Sequence, residues 1–352
     1  MIYFLSLSDW RVFKQRSSRN RATMSSLRTV LNDSVIIHPP GFYLIAFETL
    51  PYISIYLIFL AFVYVVAVLF NSLVVYVLAF DHRLHTPKYL AVVNLAVVDI
   101  IFNTSTIPSM IKAFLFKNNF IQFNLCFVQM FFYYTFGTLE SFALAILAYD
   151  RLIAICFPLR HNSINTLRSM SHVVGLTWCF ALGIIAFSTG IITRLSFCNS
   201  VRIHSYFCGC LAVPRLACDD YTLQLYLALC LVFLLLLGPF AFIVLSYMSI
   251  LVTVFRMKSV DSRVKALTTC VEHFILVAIF YTPLISIFII ELYVQVHPDV
   301  RALGNSLAAC IPPCINPIVY SLKTKEIKIR VLALVRKTKT GTDKCKSKAQ
   351  SC

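Results

Sequence analysis

Charged side chains that interrupt long apolar runs are the residues best placed to do chemistry in this 352-residue chain. Asp99 and Glu140 each stand midway along such a run. Two carboxylates that face one another in a low dielectric cannot both stay ionised cheaply. Two interpretations are therefore open: a protonated acid that is hydrogen-bonded to its neighbours, and a pair that is bridged by a cation.

A charged doublet, Asp150 and Arg151, stands where another apolar run stops. Such a pair costs several kcal/mol inside hydrocarbon, so it should lie at the edge of a membrane. Asn71 is a lone amide in the first apolar run. It should hydrogen-bond to a neighbouring helix, because an apolar surrounding offers its side chain no other partner.

The sequence carries no motif of enzymatic chemistry. It contains no GxSxG, HExxH, GxxxxGK[ST] or GxGxxG pattern, and it has only nine glycines in all. The eight histidines are scattered along the chain, which favours solvated or structural roles over metal ligation. We therefore expect that the protein is not an enzyme.

The elements that position these residues are predicted to cross a membrane. Hydrophobic residues make up 59% of the chain and charged residues 13%, whereas an ordinary soluble domain carries about 25% charged residues. The mean hydropathy is +0.81, and apolar runs long enough for a bilayer about 30 Å thick recur. They lie near residues 53–80, 89–113, 124–149, 171–193, 223–255, 270–292 and 302–322. The predicted fold is an all-α membrane protein, a seven-transmembrane helix bundle.

The net charge of +16 is distributed as membrane topology requires. Successive loops lie on alternate sides of the membrane. One side, which includes the C-terminal segment, holds 19 Lys and Arg residues, and the short loops of the other side hold six. The positive-inside rule therefore predicts an extracellular tail over 1–52, a bundle over 53–322 and a cytoplasmic segment over 323–352. Apolar positions between 327 and 335 share one face, which is typical of a short amphipathic helix on the inner leaflet. The basic tail favours lipid headgroups over nucleic acid as its contact.

The N-terminal tail holds six further basic residues, which would have to cross the membrane. Residues 1–23 look unlike the rest of the chain, and two interpretations are open: an upstream extension ahead of Met24, and a long disordered tail. Asn32 begins an N-x-S acceptor on the side predicted to face the lumen, where glycosylation is expected. No cleavable signal peptide is visible in residues 1–9.

Five motifs of the chain resemble those of the odorant receptors, a branch of the rhodopsin-like G-protein-coupled receptors. They are LAYDRLIAICFPLRH at 147–161, LHTPKY at 84–89, KALTTCVEH at 265–273, FYTP at 280–283 and PPCINPIVYSLKTKEIK at 312–328. The resemblance covers residues 39–328, and the motifs occur in the family's order. TPKY together with FYTP is similar to fish members of the family.

The resemblance implies a switch for a G protein at the cytoplasmic end of the bundle. Its residues are Asp150, Arg151, Tyr247 and Tyr320. Ligand binding would favour a state in which the sixth helix has swung outward. A stimulatory olfactory-type G protein would then dock and raise cyclic AMP through adenylate cyclase.

The resemblance also implies a ligand pocket between helices three, five and six. The matching positions are Met130, Tyr133, Tyr134, Gly137, Leu231, Leu235, Tyr281, Leu284, Ile285 and Phe288. Tyr133 stands where amine receptors have an aspartate for the ligand's ammonium group. The predicted ligand is therefore a small molecule that is neutral or weakly polar.

A polar cluster in the bundle is a further implication of the resemblance. Asn316 is expected close to Asp99 and Glu140, and a sodium ion is one occupant of this cluster. A protonated acid without a metal remains the other interpretation. No other cofactor is expected.

Five of the 13 cysteines fall on the predicted outer side. The secretory pathway is oxidising, so disulfides are expected there, but the spacing alone does not choose a pairing. The resemblance implies that Cys126 pairs with Cys208 and that Cys198 pairs with Cys218. Cys210 is then left over.

The sequence thus predicts an odorant receptor of the plasma membrane, with its N-terminus outside and its C-terminus in the cytoplasm. Its expected partners are a small-molecule odorant, a heterotrimeric G protein of the stimulatory olfactory type and membrane lipid, but no nucleic acid. Two alternatives are a non-olfactory rhodopsin-like receptor and a transporter with Asp99 and Glu140 as its coupling site. The transporter is disfavoured because the chain shows no internal repeat.

Overall fold

The computed structural model describes residues 38–80, 85–198, 200–293 and 297–323. The glycosylation site predicted at Asn32, the extension predicted over 1–23 and the amphipathic helix predicted after Lys323 lie outside these residues. The side chains of Phe288 and Tyr320 also lie outside the description, although their backbones are helical.

The long helices follow the predicted apolar runs. They are α1 (Ile53–Phe80), α2 (Pro87–Met110), α3 (Phe123–Cys156), α4 (Leu167–Ile192), α5 (Thr222–Arg256), α6 (Val260–Tyr293), α7 (Pro298–Cys310) and α8 (Pro312–Lys323). The largest differences from the prediction are that α3 continues past residue 149 and that α6 begins well before residue 270. Helix formation does not stop where the apolar run stops, because polar side chains are good helix formers in water.

Most of the predicted spans have the length and apolar composition that a bilayer demands. Of the helices in the described ranges, four are long and apolar enough to cross a membrane, and two bent helix pairs raise the number to six. The predicted seventh span is divided into α7 and α8. Pro312 and Pro313 interrupt the helical ladder at that point, because proline has no backbone N–H to donate.

A π-helical turn at Phe233–Leu237 interrupts α5 just before Gly238 and Pro239. Proline removes one backbone donor, and its ring presses on the carbonyl four residues earlier. The ladder widens into a π turn as a result. Leu235 and Leu236, both within this turn, are buried in the bundle.

The centre of the bundle is α3, which packs against α2, α4, α5 and α6. Its buried side includes the polar residues Thr135, Glu140 and Ser141 as well as apolar groups. Large apolar side chains are instead exposed on the outer helix faces, as Phe62 is on α1 and Phe255 on α5. An exposed apolar surface of this kind is expected of helices that face lipid.

Buried amides connect neighbouring helices. Asn71 of α1 donates from its side chain to the Pro313 carbonyl of α8 at 2.9 Å, which confirms the predicted contact with a neighbouring helix. The Trp178 indole of α4 donates to the Asn94 side chain of α2 at 2.7 Å. Each bond satisfies a polar group that would otherwise be unpaired in an apolar surrounding.

A three-stranded sheet covers one end of the bundle and is a small addition to the predicted all-α fold. The central strand β1 (Gly41–Leu44) runs antiparallel to β2 (Phe120–Gln122) and parallel to β3 (Arg202–Ile203). Glycine is needed at Gly41, because a Cβ there would collide with the Ile121 carbonyl oxygen. The sheet joins the N-terminal segment to the α2–α3 loop and to the α4–α5 loop.

Two disulfides fix the α4–α5 loop at the same end. Cys208 is joined to Cys126 at the start of α3, with 5.5 Å between their Cα atoms. Cys198 is joined to Cys218, with a Cα separation of 5.7 Å. Cys210 is a free, buried thiol. We call this end of the bundle the disulfide end, and we call the opposite one the Arg151 end.

Asp299 ties the N-terminal segment to the first turn of α7. Its carboxylate accepts hydrogen bonds of 2.7 Å from the Phe47 backbone N–H, the Thr49 backbone N–H and the Thr49 hydroxyl. Burial alone would raise the pKa of Asp299. The three hydrogen bonds outweigh burial and lower its pKa below the ordinary value, because they favour the ionised form.

Candidate functional site

The charged doublet lies in the last two turns of α3. Arg151 Nη2 is 3.7 Å from Asp150 Oδ2. Asp150 is only 3% exposed, and its Oδ1 accepts a hydrogen bond of 2.7 Å from Asn165 Nδ2. Sequence reasoning missed Asn165, because nothing in its local sequence shows that the loop after α3 folds back onto this carboxylate.

His273 connects α6 to both α3 and α5 near the Arg151 end. Its Nε2 is 2.9 Å from the Leu144 carbonyl oxygen, and its Nδ1 is 2.6 Å from the Tyr247 hydroxyl. A carbonyl only accepts, so Nε2 carries the hydrogen, and in the neutral ring Nδ1 accepts from Tyr247. The Arg151 charge is near enough to act on both rings electrostatically. The structure therefore brings two of the predicted switch residues together.

The predicted polar cluster is assembled between α2, α3 and α8. Asn316 Nδ2 is 3.2 Å from Asp99 Oδ1 and 3.0 Å from Asp99 Oδ2. Glu140 is 1% exposed and interacts electrostatically with Asp99. Its Oε1 has no hydrogen-bond partner among the described residues. A buried oxygen of this kind calls for a further partner, such as a proton or a cation.

Oxygen ligands are those that small hard cations prefer, so the two carboxylates fit a sodium ion in chemical type. Within the part of the chain that the structure describes, no three His, Cys, Asp or Glu side chains come together as a metal site. The cluster therefore offers a cation two carboxylate ligands and not a complete set of protein ligands.

Tyr281 connects α6 to α3 and α5 near the middle of the bundle. Its hydroxyl is 2.6 Å from Ser141 Oγ and donates to the Leu236 carbonyl oxygen at 3.4 Å. Its ring packs on Phe240 with 4.6 Å between the ring centroids. Tyr281 is 2% exposed, so its place is in the core rather than on a cavity wall.

A cavity opens between α3, α4 and α5 at the disulfide end, and we call it the first cavity. Four of the predicted pocket residues line it, namely Tyr134, Gly137, Leu231 and Leu235. The wall from α4, which the sequence did not predict, consists of Ile185, Ser188 and Thr189. Cys210 lines the cavity from the α4–α5 loop, and burial raises the pKa of its thiol to about 11. The thiol is therefore neutral at physiological pH.

Two predicted pocket residues of α3 lie elsewhere. Met130 packs into the apolar cluster beneath the sheet. The Tyr133 ring stacks on Phe207 with 4.0 Å between centroids, and its hydroxyl is 3.1 Å from the Tyr206 hydroxyl. Both residues support the α4–α5 loop that closes the disulfide end.

The predicted pocket residues of α6 also lie outside the first cavity. Leu284 and Ile285 are partly buried and pack beside Tyr281, and the side chain of Phe288 is outside the description. The resemblance implied a pocket between helices three, five and six, whereas the first cavity lies between α3, α4 and α5.

A second cavity lies between the α4–α5 loop and α7, and we call it the vestibule. Its polar side chains include His204, Ser205, Arg301 and Asn305. Tyr134 lines both cavities. Sequence patterns did not predict the vestibule, because Arg301 and the loop residues are brought together only by the tertiary fold.

Membrane-crossing helices that enclose cavities at one end and present a charged doublet at the other are the arrangement of a receptor. A family model described as "Olfactory receptor" matches residues 60–337. The chain belongs to the olfactory receptor family.

Individual relatives agree with this assignment. The chain is 37% identical over 281 residues to human "Olfactory receptor 51E2", with 78% of this chain and 86% of the relative covered. It is 30% identical over 310 residues to human "Olfactory receptor 2AT4", with 87% and 96% covered. It is 32% identical over 265 residues to mouse "Olfactory receptor 1M1", with 75% and 84% covered.

Family membership confirms the predicted class. The protein is a G-protein-coupled odorant receptor with a seven-transmembrane bundle, it is not an enzyme, and it resides in the plasma membrane as a multi-pass protein. The family works without a cofactor.

Proposed function

We propose that this receptor binds a small, neutral or weakly polar odorant in the first cavity and activates a stimulatory olfactory-type G protein, which raises cyclic AMP. The disulfide end then faces the outside and the Arg151 end the cytoplasm. The observation that carries the proposal is that residues predicted from α3 and α5 converge on one cavity. They are Tyr134, Gly137, Leu231 and Leu235.

The lining of the first cavity supports a neutral ligand. Leucine, isoleucine, valine and alanine side chains form half of its lining, and the polar groups are the hydroxyls of Tyr134, Thr138, Ser188 and Thr189 and the Cys210 thiol. No charged side chain lines it among the described residues. An ion would lose its hydration there without gaining a partner, whereas an odorant with one hydroxyl or carbonyl group would find one.

The first cavity is coupled to α6 through Leu236. This residue lines the cavity, and its carbonyl oxygen accepts the hydrogen bond from Tyr281. An odorant that displaces α5 at this turn alters the contact that Tyr281 makes between α6 and Ser141 of α3. Odorant binding shifts the receptor's equilibrium only if the odorant has a higher affinity for one of the two states. We assign that difference in affinity to the contact between Tyr281 and Ser141.

An outward swing of α6 at the Arg151 end breaks a second contact, the hydrogen bond between His273 and the Leu144 carbonyl. Once α6 has moved, the opened surface is lined by Arg151, Tyr247 and Tyr320. The ion pair with Asp150 then determines whether the Arg151 side chain is held or released. The two bonds from α6 to α3 therefore hold the state that the structure describes. The G protein binds the state in which they are broken.

The polar cluster of Asp99, Glu140 and Asn316 is proposed to hold a sodium ion. Asp99 and Glu140 would hold the ion, and its charge would offset the repulsion between the two carboxylates and supply a partner to Glu140 Oε1. Its chemistry there is electrostatic only.

The proposal is tested by narrowing the first cavity. Leu235→Phe adds volume to its wall, so we expect potency in a cyclic-AMP assay to shift by about tenfold in favour of smaller odorants. Leu234→Phe is the matched control, because Leu234 is the neighbouring residue and is 59% exposed on the outer face of α5. Cell-surface labelling of both variants separates loss of folding from loss of binding. If Leu235→Phe has the same relative potency for small and large odorants as the unmodified receptor, the first cavity is not the odorant site.

A further inference from the structure

The vestibule concentrates hydrogen-bond donors and positive charge on a partly enclosed surface. Arg301 of α7 lines it together with Asn305, and His204 and Ser205 line it from the α4–α5 loop. Arg301 and Asn305 are half-buried, whereas His204 is exposed at the rim. A guanidinium in such a place interacts with an anion more strongly than one in open water, because the surrounding dielectric is lower.

No acidic side chain lines the vestibule among the described residues. The acid that lies closest to Arg301 along α7 is Asp299, and its carboxylate is already occupied by hydrogen bonds from Phe47 and Thr49. Arg301 also has five N–H donors, so it can hold a ligand's carboxylate in addition to a partner within the protein.

The remaining walls of the vestibule are apolar. The rings of Tyr206 and Phe207 and the side chains of Leu211 and Ala302 line it. Tyr134 stands between the two cavities, and its hydroxyl accepts a bond of 3.2 Å from the Cys210 backbone N–H. The lining thus suits an anionic head attached to an aliphatic or aromatic body.

We propose that the vestibule binds small organic carboxylates, with the carboxylate held by Arg301 and the apolar body against Phe207. This inference rests on the proposed function, in which the disulfide end faces the outside and is open to dissolved ligands. It adds an acid-binding site beside the neutral first cavity. An acidic odorant is recognised in the vestibule, whereas its uncharged ester gains nothing from Arg301.

The test is a thermal-unfolding measurement on the purified full-length receptor with matched acids and esters. The probes are hexanoate with methyl hexanoate and benzoate with methyl benzoate, and inorganic phosphate serves as an anion without an apolar body. We expect each acid to bind about tenfold to a hundredfold more tightly than its ester, as a charge-assisted hydrogen bond implies. Arg301→Gln should remove this difference and leave ester binding unchanged.

Arg202→Gln is the matched control, because Arg202 is an exposed arginine at the same end that does not line the vestibule. It should keep the full preference for acids, which excludes a general effect of surface charge. Arg301→Lys should restore part of the preference and shows that the site still folds. Equal binding of acids and esters, or an acid preference that survives in Arg301→Gln, overturns the proposal. Phosphate binding equal to that of hexanoate overturns the assignment to organic acids.

The same receptor is also assayed for cyclic AMP with neutral odorants. Signalling to neutral odorants without any acid-dependent stabilisation leaves the proposed function standing and rejects the vestibule site. Acid-dependent stabilisation that requires Arg301, in a receptor that raises no cyclic AMP, supports the vestibule site and rejects the proposed coupling.

Discussion

His273, the last residue of the KALTTCVEH motif, shows how one side chain holds a membrane bundle in one state. Its two ring nitrogens bond to different helices, Nε2 to the Leu144 carbonyl of α3 and Nδ1 to the Tyr247 hydroxyl of α5. The bond to Leu144 is buried and the bond to Tyr247 is partly buried, so water has little access to them. Breaking them costs more than breaking the same bonds at a protein surface.

We predict that His273→Phe raises basal signalling. The substitution keeps an aromatic ring but removes both bonds, each of which contributes about 1 kcal/mol. The population of the state with α6 outward should then rise about thirtyfold, and ligand-free cyclic AMP should rise with it. Thr268→Val is the control, because the Thr268 hydroxyl donates to the Val264 carbonyl of its own helix. Normal surface expression with unchanged basal cyclic AMP would show that His273 does not restrain α6.

The two buried carboxylates give a second prediction, which separates a sodium ion from a proton. If sodium binds, replacing sodium chloride with an N-methylglucamine salt should lower the unfolding temperature of the purified receptor, because a ligand that binds only the folded state stabilises it. Glu140→Gln should abolish that dependence, since it removes one of the two carboxylates. Identical unfolding temperatures of the unmodified receptor in both salts would assign the pair to a shared proton.

The sheet, the disulfides and α7 together close the disulfide end. β1 pairs with strands from two different loops, and Asp299 fixes the segment after β1 to α7. These contacts set the position of α7 and so the width of the vestibule. The N-terminal segment is therefore part of the disulfide end, where we propose that ligands bind.

We predict that Asp299→Asn lowers the free energy of unfolding by about 1–3 kcal/mol, because hydrogen bonds to a charged acceptor are stronger than those to a neutral one. The folded-state pKa of Asp299 lies below its unfolded value. Its contribution is therefore fully present above about pH 4 and is lost as the pH falls through the lowered pKa. Thermal unfolding of both forms from pH 7 to pH 3 should show this loss only in the unmodified receptor. A parallel loss in Asp299→Asn would assign it to another group.

The helices could be predicted from the sequence more fully than the loops. α1 coincides with its predicted run, because a continuous apolar stretch specifies a membrane-crossing helix locally. The pairing of Gly41 with residue 122 and of Tyr43 with Arg202 depends on chain segments that are distant in sequence. Local patterns carry no information on such pairing, so the sheet was not predicted.

The residues of the candidate site were likewise predicted only in part. Tyr134 and Leu235 were expected in the pocket because the resemblance implies one between helices three, five and six, but the wall from α4 was missed because the local sequence does not identify the facing helix. Arg301 was counted only as a loop charge. Its position beside the α4–α5 loop results from the packing of α7, which no local motif encodes.

The molecule as a whole places its cavities and its charged doublet at opposite ends of one helix, α3. Gly137 of the first cavity, Ser141, Leu144 and Arg151 succeed one another along it. Each of the two middle residues bonds to α6. A change at the cavity therefore reaches the Arg151 end through two contacts between the same pair of helices, which is the physical content of the proposed population shift.

One assay decides whether the proposed coupling is right: cyclic AMP in cells that express the full chain, exposed to an odorant panel with and without a stimulatory olfactory-type α subunit. We predict an odorant response, measured as the increase above the ligand-free level, that requires the α subunit and that Arg151→Ala abolishes. Tyr281→Ala should strongly reduce this increase, because it breaks a bond that holds the resting state and so raises the ligand-free level. Arg168→Ala, which removes an exposed arginine at the same end, should leave it intact. An odorant response that survives both Arg151→Ala and Tyr281→Ala would contradict the proposed coupling.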